Sequence, residues 1–533
     1  MLLTVPPQSP LPGVETRSGA VRKWIDQLAY TNFLDTAHLL TGRLRDLHHQ
    51  PLEAQHRHEL LLCFLEAFQR LHEPLRRLPP ATDDPLTQPR LHSLDRLTEE
   101  LLIGFKYVIN DAQQERHLLR RPKHLHQAVT LAMHLIALLL ATRYQGYMPT
   151  DSQLWREAGT LLRYALQHQR GPWTVPSRLP FAGEQLDAAG SYALMAFLRL
   201  SDPFRLPHGT LWDCFGFLAE QIRRSELQAR PSAPDSPRAR AVCVDCEPQE
   251  WRQAPPADAD PGRWYWLDPT PVLETIEAAV AALELGAAPA GYGMSEAIGR
   301  HDAIQLLVRL RSQYTDPPER RLERFDTDQT VQLAVGLEAC FYLHNRGVAF
   351  DPRDYLSRED EGTIEIGHSA DVPQAPGAAG YQAYRCNLIN RSAGGLAVRL
   401  PAGGRPRIRV GELLAVSLAD SGTDNPQWLI ATVKWLVNQP RQRELGLQYI
   451  AREVKPCALR LDRADQSGPI QPALQSEITH HDARYNLLIA SKATFRPQRR
   501  LELLRGTEQH PIECTQLMES TGLYERFCYS YLD

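Results

Sequence analysis

The sequence of 533 residues lacks the compositional marks of several protein classes. Its nine cysteines are few and odd in number, which is typical of reduced thiols in a cytosol and excludes a dense disulfide framework. The chain has 59 lysine and arginine residues and 63 aspartate and glutamate residues. It therefore lacks the excess of basic residues that binds a DNA or RNA backbone. With 43% hydrophobic and 23% charged residues, the composition indicates a globular chain of several domains.

Long hydrophobic runs are also lacking. The longest, residues 128–142, is shorter than the roughly 20 residues that a membrane span needs, and it contains His134. We therefore expect a buried helix there and no membrane span. Residues 1–15 show neither the positive segment nor the apolar segment of a signal peptide, so we expect a cytoplasmic protein.

Hydrophobic periodicity predicts a helical first half. Between residues 21 and 228, apolar side chains recur at steps of three and four, and proline and aspartate separate the blocks. We predict that residues 21–312 form an all-helical bundle or solenoid, a platform for the rest of the chain. The Pro- and Ala-rich segment 230–263 is predicted to be loop around one short strand at 241–244, and residues 1–20 to be disordered.

Beyond Thr330 the apolar residues alternate or form short runs between turn residues, which favours β-strands. The clearest runs are 395–400, 413–418, 428–437 and 445–450. The polar stretch 346–380 is predicted to be an insertion. After a loose stretch at 462–475, a small C-terminal β module is predicted over 476–533. The expected fold class is multidomain, α first and β second.

Two short motifs stand where the helical half meets the β half. The first places Arg320 and Arg324 four residues apart, and the second is Asn390-x-Ser392-x-x-Gly395 within a β run. Together they resemble the PilZ domain, the bacterial six-stranded antiparallel β-barrel that binds the second messenger cyclic di-GMP. The resemblance covers about residues 316–458 and implies a PilZ-like barrel over 313–460 that contains the 346–380 insertion.

The resemblance implies a ligand site for cyclic di-GMP. Arginine has a planar fork that can bind a phosphate or the O6/N7 edge of guanine. Short polar residues at alternate strand positions point the same way, and glycine lets the backbone come close to a ligand. The residues that match the family, with one adjacent arginine as a helper, are Arg320, Arg321, Arg324, Asn390, Ser392 and Gly395.

Other candidate sites are incomplete. Cys243-x-x-Cys246 has no second ligand pair for zinc, and its Pro-rich surroundings are not the strand–helix context of a thioredoxin-like redox motif. We therefore interpret these cysteines as structural thiols and expect no metal. No signature of a nucleotide hydrolase, a serine hydrolase or a cyclic di-GMP cyclase or phosphodiesterase is present, so we expect neither an enzyme nor a cofactor.

These expectations combine into one hypothesis. The chain reads cyclic di-GMP through the PilZ-like barrel and transmits the signal through the helical region to a protein partner. The alternative is an adaptor of the same architecture that needs no ligand and uses the barrel as a docking surface, for example in pilus or flagellar control.

Overall fold

The computed structural model divides into two compact units, Met1–Glu319 and Arg320–Asp533, which are described separately. The residues that the structure describes are 3–76, 87–114, 123–168, 187–222, 227–229, 238–248, 254–315, 325–326, 329–355, 381–401, 406–418, 427–439, 441–461, 468–480, 483–506 and 508–532.

Helices dominate the first unit, as predicted. Within its described residues they are α1 (Ser18–Asp26), α2 (Phe33–His48), α3 (Ala54–Arg76), α4 (Thr87–Gln114), α5 (Lys123–Gln145), α6 (Ser152–His168), α7 (Ala188–Leu200), α8 (Leu211–Gln221), α9 (Thr270–Glu284) and α10 (Arg300–Thr315). Helix α5 is apolar on nearly every face and packs against α4, α6, α7 and α8, so it forms the centre of this core.

Helix α5 is also long and apolar enough, by length and composition, to cross a membrane. In the structure, 89% of its most apolar window is buried inside the protein. Its run 128–142 is a core helix, as the sequence predicts, because the neighbouring helices cover it on all sides.

The N-terminal segment corrects one expectation, since residues 3–20 are not disordered. Leu3 is buried, its N–H donates to Asn110 Oδ1 at 2.9 Å, and Asn110 Nδ2 donates to the Leu3 carbonyl oxygen at 2.9 Å. The Tyr107 hydroxyl donates to the carbonyl oxygen of Pro6. One asparagine side chain on α4 makes a strand-like pair of hydrogen bonds with this segment. Such a contact leaves no hydrophobic periodicity in the sequence, so it could not be predicted.

A small sheet adds to the helical unit. Its strands are β1 (Leu227–Ala229), β2 (Arg240–Cys243) and β3 (Trp264–Leu267), in the antiparallel order β1-β3-β2. Strand β2 is the short strand predicted in the 230–263 segment. Strand β3, which begins just after that segment, was not predicted.

The second unit opens with a closed six-stranded antiparallel barrel, which confirms the expected fold class. Its elements are β4 (Phe325–Asp326), β5 (Thr330–Val335), α11 (Leu337–His344), β6 (Tyr384–Ser392), β7 (Gly395–Pro401), β8 (Leu413–Leu418), β9 (Trp428–Asn438) and β10 (Gln442–Ala451). The barrel order is β6-β5-β8-β9-β10-β7, closed by β6 pairing with β7, and β4 pairs with the far end of β6.

The C-terminal β module is itself a closed six-stranded barrel. Its strands are β11 (Lys455–Leu461), β12 (Ile470–His480), β13 (Ala483–Ser491), β14 (Arg500–Arg505), β15 (Glu508–Ser520) and β16 (Tyr524–Tyr531), in the order β11-β12-β13-β16-β15-β14. The module therefore begins at Lys455 rather than at 476, and the loose stretch 462–475 includes the start of β12. Pro456 and Pro472 interrupt the alternation of these two strands, which is why it was missed.

The two barrels share part of their core through α11. Phe341 is fully buried, in a cluster that also contains Leu413 and Ile430 of the first barrel. Leu474 and Tyr524 of the second barrel belong to the same cluster. The helix was not predicted, because its eight residues lie between a strand and a polar stretch. It makes the two barrels one packed body.

Replacing Phe341 should therefore loosen both barrels at once. Phe341→Ala leaves a cavity in the shared cluster, which typically costs about 3–5 kcal/mol. We expect faster amide hydrogen exchange in β8 and in β12, measured by mass spectrometry. Val348→Ala, at a position that is 54% exposed, is the matched control and should change neither. Faster exchange in β8 alone would contradict the shared core.

Candidate functional site

The second sequence motif forms a tight hairpin between β6 and β7. Ala393 and Gly394 are the two loop residues, and Ser392 pairs directly with Gly395 across the turn. The Ser392 hydroxyl donates to the carbonyl oxygen of Gly395 at 3.2 Å. The hairpin thus brings Ser392 and Gly395 together, as the motif predicts, and holds the serine in one orientation.

Asn390 lies just beyond a bulge in the same hairpin. Leu388 pairs with Val398, and the next pair is Asn390 with Ala397, so Ile389 is the extra residue. A bulge breaks the alternation of side chains and increases the local twist of the strand. Asn390 is half-buried, which leaves part of its amide available to a ligand.

Gly395 has a structural reason to be glycine. A Cβ atom at this position would overlap the carbonyl oxygen of Leu447 on β10. Gly395 pairs with Gln448, and the N–H of Tyr449 donates to the Gly394 carbonyl oxygen at 3.0 Å. The close approach that glycine permits is therefore between β7 and β10. It sets the motif turn beside Tyr449.

The arginine motif is not placed by the structure. Arg320, Arg321 and Arg324 lie outside the described residues. The described chain resumes at β4, where Phe325 pairs with Arg391 and Asp326 pairs with Asn390.

A large cavity of about 1570 Å³ opens beside the motif turn, between the two barrels. Ala393 and Gly394 of the turn form part of its wall. The other lining residues are Leu343 and His344 at the end of α11, Arg346 and Gly347 after it, Gln427 and Trp428 at the start of β9, Tyr449, Ile450, Ala451, Arg452, Glu453, Val454 and Lys455 from β10 to β11, and Gln475, Ser476, Glu477, Ile478 and Leu487 of the second barrel. Such an opening is large enough for a dinucleotide.

The cavity is lined by side chains of both positive and negative charge. Arg346, Arg452 and Lys455 are its cationic side chains, and Glu453 and Glu477 its acidic ones. Arg346 has a left-handed backbone with φ of 55°, which is unfavourable for a residue other than glycine. Two backbone hydrogen bonds maintain that turn. The Gly347 N–H donates to the Tyr342 carbonyl oxygen, and the Val348 N–H donates to the Asn345 carbonyl oxygen.

Tyr449 lines the cavity, but its hydroxyl oxygen is shielded from solvent and makes no hydrogen bond to any described residue. Burial raises the pKa of Tyr449, while the nearby charges of Arg391 and Arg452 partly oppose this rise. A buried hydroxyl without a partner is costly, so this residue contributes to the cavity wall at some expense of stability. Sequence reasoning missed Tyr449, because no motif marks it.

The chain matches three family models in order along its length. Residues 19–233 match the N-terminal domain of the cyclic-di-GMP receptor FimW, residues 351–456 its middle PilZ domain, and residues 457–532 the FimW C-terminal β-barrel domain. The chain carries a PilZ domain behind a helical N-terminal region. The names of the models indicate a cyclic-di-GMP receptor, which is a binding protein. A comparison with curated proteins found no match.

The boundary between the last two matches agrees with the boundary between the two barrels, whereas the PilZ match begins at residue 351, after β4, β5 and α11. The match to the PilZ domain ends at residue 456 and that to the C-terminal domain begins at 457, within strand β11. The PilZ match therefore contains the β6–β7 hairpin and just over half of the cavity wall. The C-terminal barrel and the segment from Leu343 to Gly347 supply the rest.

The sequence predicts that the chain has no metal site. Among the described residues, no group of three or more histidine, cysteine, aspartate or glutamate side chains is arranged to hold a metal ion. Cys243 and Cys246 do come together, with their Sγ atoms 2.7 Å apart.

Gly395→Ala should destabilise the PilZ domain even without ligand. The added Cβ would overlap the Leu447 carbonyl oxygen, so β7 and β10 must separate, with a cost of about 1–3 kcal/mol. We expect a lower Tm for the PilZ unit by calorimetry. Gly522→Ala is the matched control, because its Cβ would have no atom within 4 Å. Equal Tm values for the two variants would show that Gly395 is not needed for packing.

Proposed function

We propose that this chain binds cyclic di-GMP where the β6–β7 hairpin meets the cavity between the barrels. The observation that carries the proposal is the juxtaposition of the motif turn with a cavity between the barrels that is lined by three cationic side chains and by Trp428. Cyclic di-GMP is a dianion with two guanine bases. It therefore requires cations, hydrogen-bonding groups and flat apolar surfaces in one place.

The hairpin residues have suitable chemistry for one guanine. Because the Ser392 hydroxyl already donates to Gly395, its lone pairs are left to accept hydrogen bonds from guanine N–H groups. The half-buried Asn390 amide can both donate and accept. These two side chains would recognise the edge of a base.

Arg320 and Arg324 are proposed to bind the phosphates and the second edge of guanine, with Arg321 as a helper. The support is covalent: Arg324 is bonded to Phe325, and Phe325 pairs with Arg391, one residue from Asn390. The arginine motif is thus joined directly to the strand that pairs with the hairpin motif. A guanidinium can contact a phosphate with two parallel hydrogen bonds.

The cavity would hold the part of the ligand that extends past the turn. Arg346, Arg452 and Lys455 provide positive charge for the phosphates. Trp428 offers an aromatic face for a base. On this account the C-terminal barrel forms one wall of the ligand site.

The proposal extends to the use of the signal. The helical unit would contact a protein partner, and the protein would act in the cytoplasm. Two apolar side chains on the described surface of this unit, Leu39 at 51% and Leu285 at 91% exposure, are candidates for such a contact. No nucleic-acid partner is proposed, because the chain has no basic excess.

Calorimetric titration with cyclic di-GMP tests the arginine and hairpin roles. A charge-assisted hydrogen bond contributes about 1.5–3 kcal/mol, so Arg320→Ala or Arg324→Ala should weaken binding about 10- to 100-fold. Ser392→Ala should weaken it less, because a neutral hydroxyl contributes less. The matched control is Arg441→Ala, which removes an exposed arginine at the opposite end of β10 from Tyr449 and should leave affinity unchanged.

Two results would contradict this proposal. One is no saturable binding by the unmodified protein at high micromolar cyclic di-GMP. The other is unchanged affinity in all three variants. Either would favour the adaptor that needs no ligand.

The role of the cavity is tested separately by Arg452→Ala, with Tyr449→Phe as the matched control. Arg452→Ala should weaken binding about tenfold, because a charged contact to the ligand is lost. Tyr449→Phe should leave affinity unchanged and the Tm unchanged or higher, since it removes a shielded hydroxyl without a partner in the described chain. If the hairpin variants weaken binding and Arg452→Ala does not, the ligand lies on the barrel surface outside the cavity.

A further inference from the structure

Cys243 and Cys246 differ from every other cysteine of the chain. The remaining seven are buried, whereas Cys246 is exposed and Cys243 is half-buried. Their Sγ atoms lie 2.7 Å apart, so the two thiols point directly at each other. An oxidant in solution can therefore reach this pair and not the others.

The loop that carries the two cysteines is anchored at its first residues. The Tyr192 hydroxyl donates to the Cys243 carbonyl oxygen at 3.3 Å, and the Val244 N–H donates to the Arg263 carbonyl oxygen at 2.8 Å. The turn lies directly on helix α6, because a Cβ at Gly159 would overlap the Val244 carbonyl oxygen. The backbone between the cysteines is thus held in a turn without any covalent link.

Ion pairs anchor the rest of the loop. Asp245 lies between the two cysteines and accepts hydrogen bonds from Arg163 at 2.6 Å and from Arg263 at 3.0 Å. Glu247 follows and accepts from Arg199 of α7 at 2.5 Å and from the Tyr144 hydroxyl of α5 at 3.2 Å. The segment that contains the pair therefore connects three helices of the first unit.

We propose that Cys243 and Cys246 are a modification site at which an intramolecular disulfide forms by exchange with a small disulfide, such as oxidised glutathione. The thiolate of the exposed Cys246 attacks the small disulfide, forms a mixed disulfide and releases one thiol. The thiolate of Cys243 then attacks Sγ of Cys246 and releases the second thiol. Two cysteine thiols are oxidised, one small disulfide is reduced to two thiols, and the protons of the cysteines pass to the released thiolates.

The new bond would fix the turn covalently. It closes a loop of four residues, whose ends the native contacts already bring together, so little native strain opposes it. The loop would then hold α5, α6 and α7 through contacts that can no longer open independently. Burial and the neighbouring Cys243 thiol raise the pKa of Cys246 to about 11, so little thiolate exists at neutral pH and the exchange is slow.

The experiment uses the full chain, incubated to equilibrium with oxidised glutathione, then quenched in acid, unfolded and alkylated. We expect seven alkylated cysteines in place of nine, and a peptide with Cys243 and Cys246 that has lost two hydrogens and carries no glutathione. Cys246→Ser is the control: it should show no loss of two hydrogens. Hydrogen exchange in residues 238–248 should slow in the oxidised protein and not in the oxidised control.

Three outcomes would overturn the proposal. Nine alkylated cysteines at equilibrium would show that the disulfide does not form. Glutathione retained on one cysteine, with the other free, would show that the second exchange step fails. One zinc ion per purified chain, released together with two newly reactive thiols, would make the pair a metal ligand instead, against the sequence prediction. The inference is independent of cyclic di-GMP binding.

Discussion

The close approach of β7 to β10 at Gly395 is the contact on which the candidate site depends. It removes the space for any side chain at Gly395 and allows the Tyr449 N–H to bond to Gly394. The turn that carries Ser392 is thereby fixed beside the end of β10. Where β10 ends, the chain turns through Arg452 and Lys455 into the second barrel, so the same contact places cations next to the motif.

The second barrel completes this arrangement. A single strand link would leave the two barrels free to move, and no defined cavity would exist between them. The shared cluster around Phe341 of α11 prevents this, because it buries residues of both barrels together. Lys434 and Glu519 add an ion pair between β9 and β15 at 2.6 Å. The cavity is thus a product of tertiary packing and not of either barrel alone.

Much of the fold could be predicted from local patterns. Strands β7, β8 and β9 are short apolar runs between turn residues, and their bounds agree with the sequence prediction within a residue or so. The hairpin motif was also visible, because Asn390, Ser392 and Gly395 lie within six residues. The cavity was not, since Tyr449, Arg346 and Glu477 are far apart in the chain and no motif joins them.

Several structural elements could not be predicted from the sequence, for physical reasons. Strands β11 and β12 contain prolines, which interrupt the alternation on which strand prediction depends. The order of the N-terminal segment comes from a few long-range side-chain contacts, such as those of Asn110 and Tyr107. Helix α11 is eight residues long and mostly apolar, so its sequence fits a short strand equally well.

The account's central claim is that one ligand contacts the hairpin and the inter-barrel cavity together. Hydrogen exchange with and without cyclic di-GMP tests this most directly, because it reports on each segment separately. The account predicts slower exchange both in residues 388–397 and in residues 449–455, with no change in the β14–β15 hairpin. Saturating ligand that protects residues 388–397 and leaves 449–455 unchanged would contradict it.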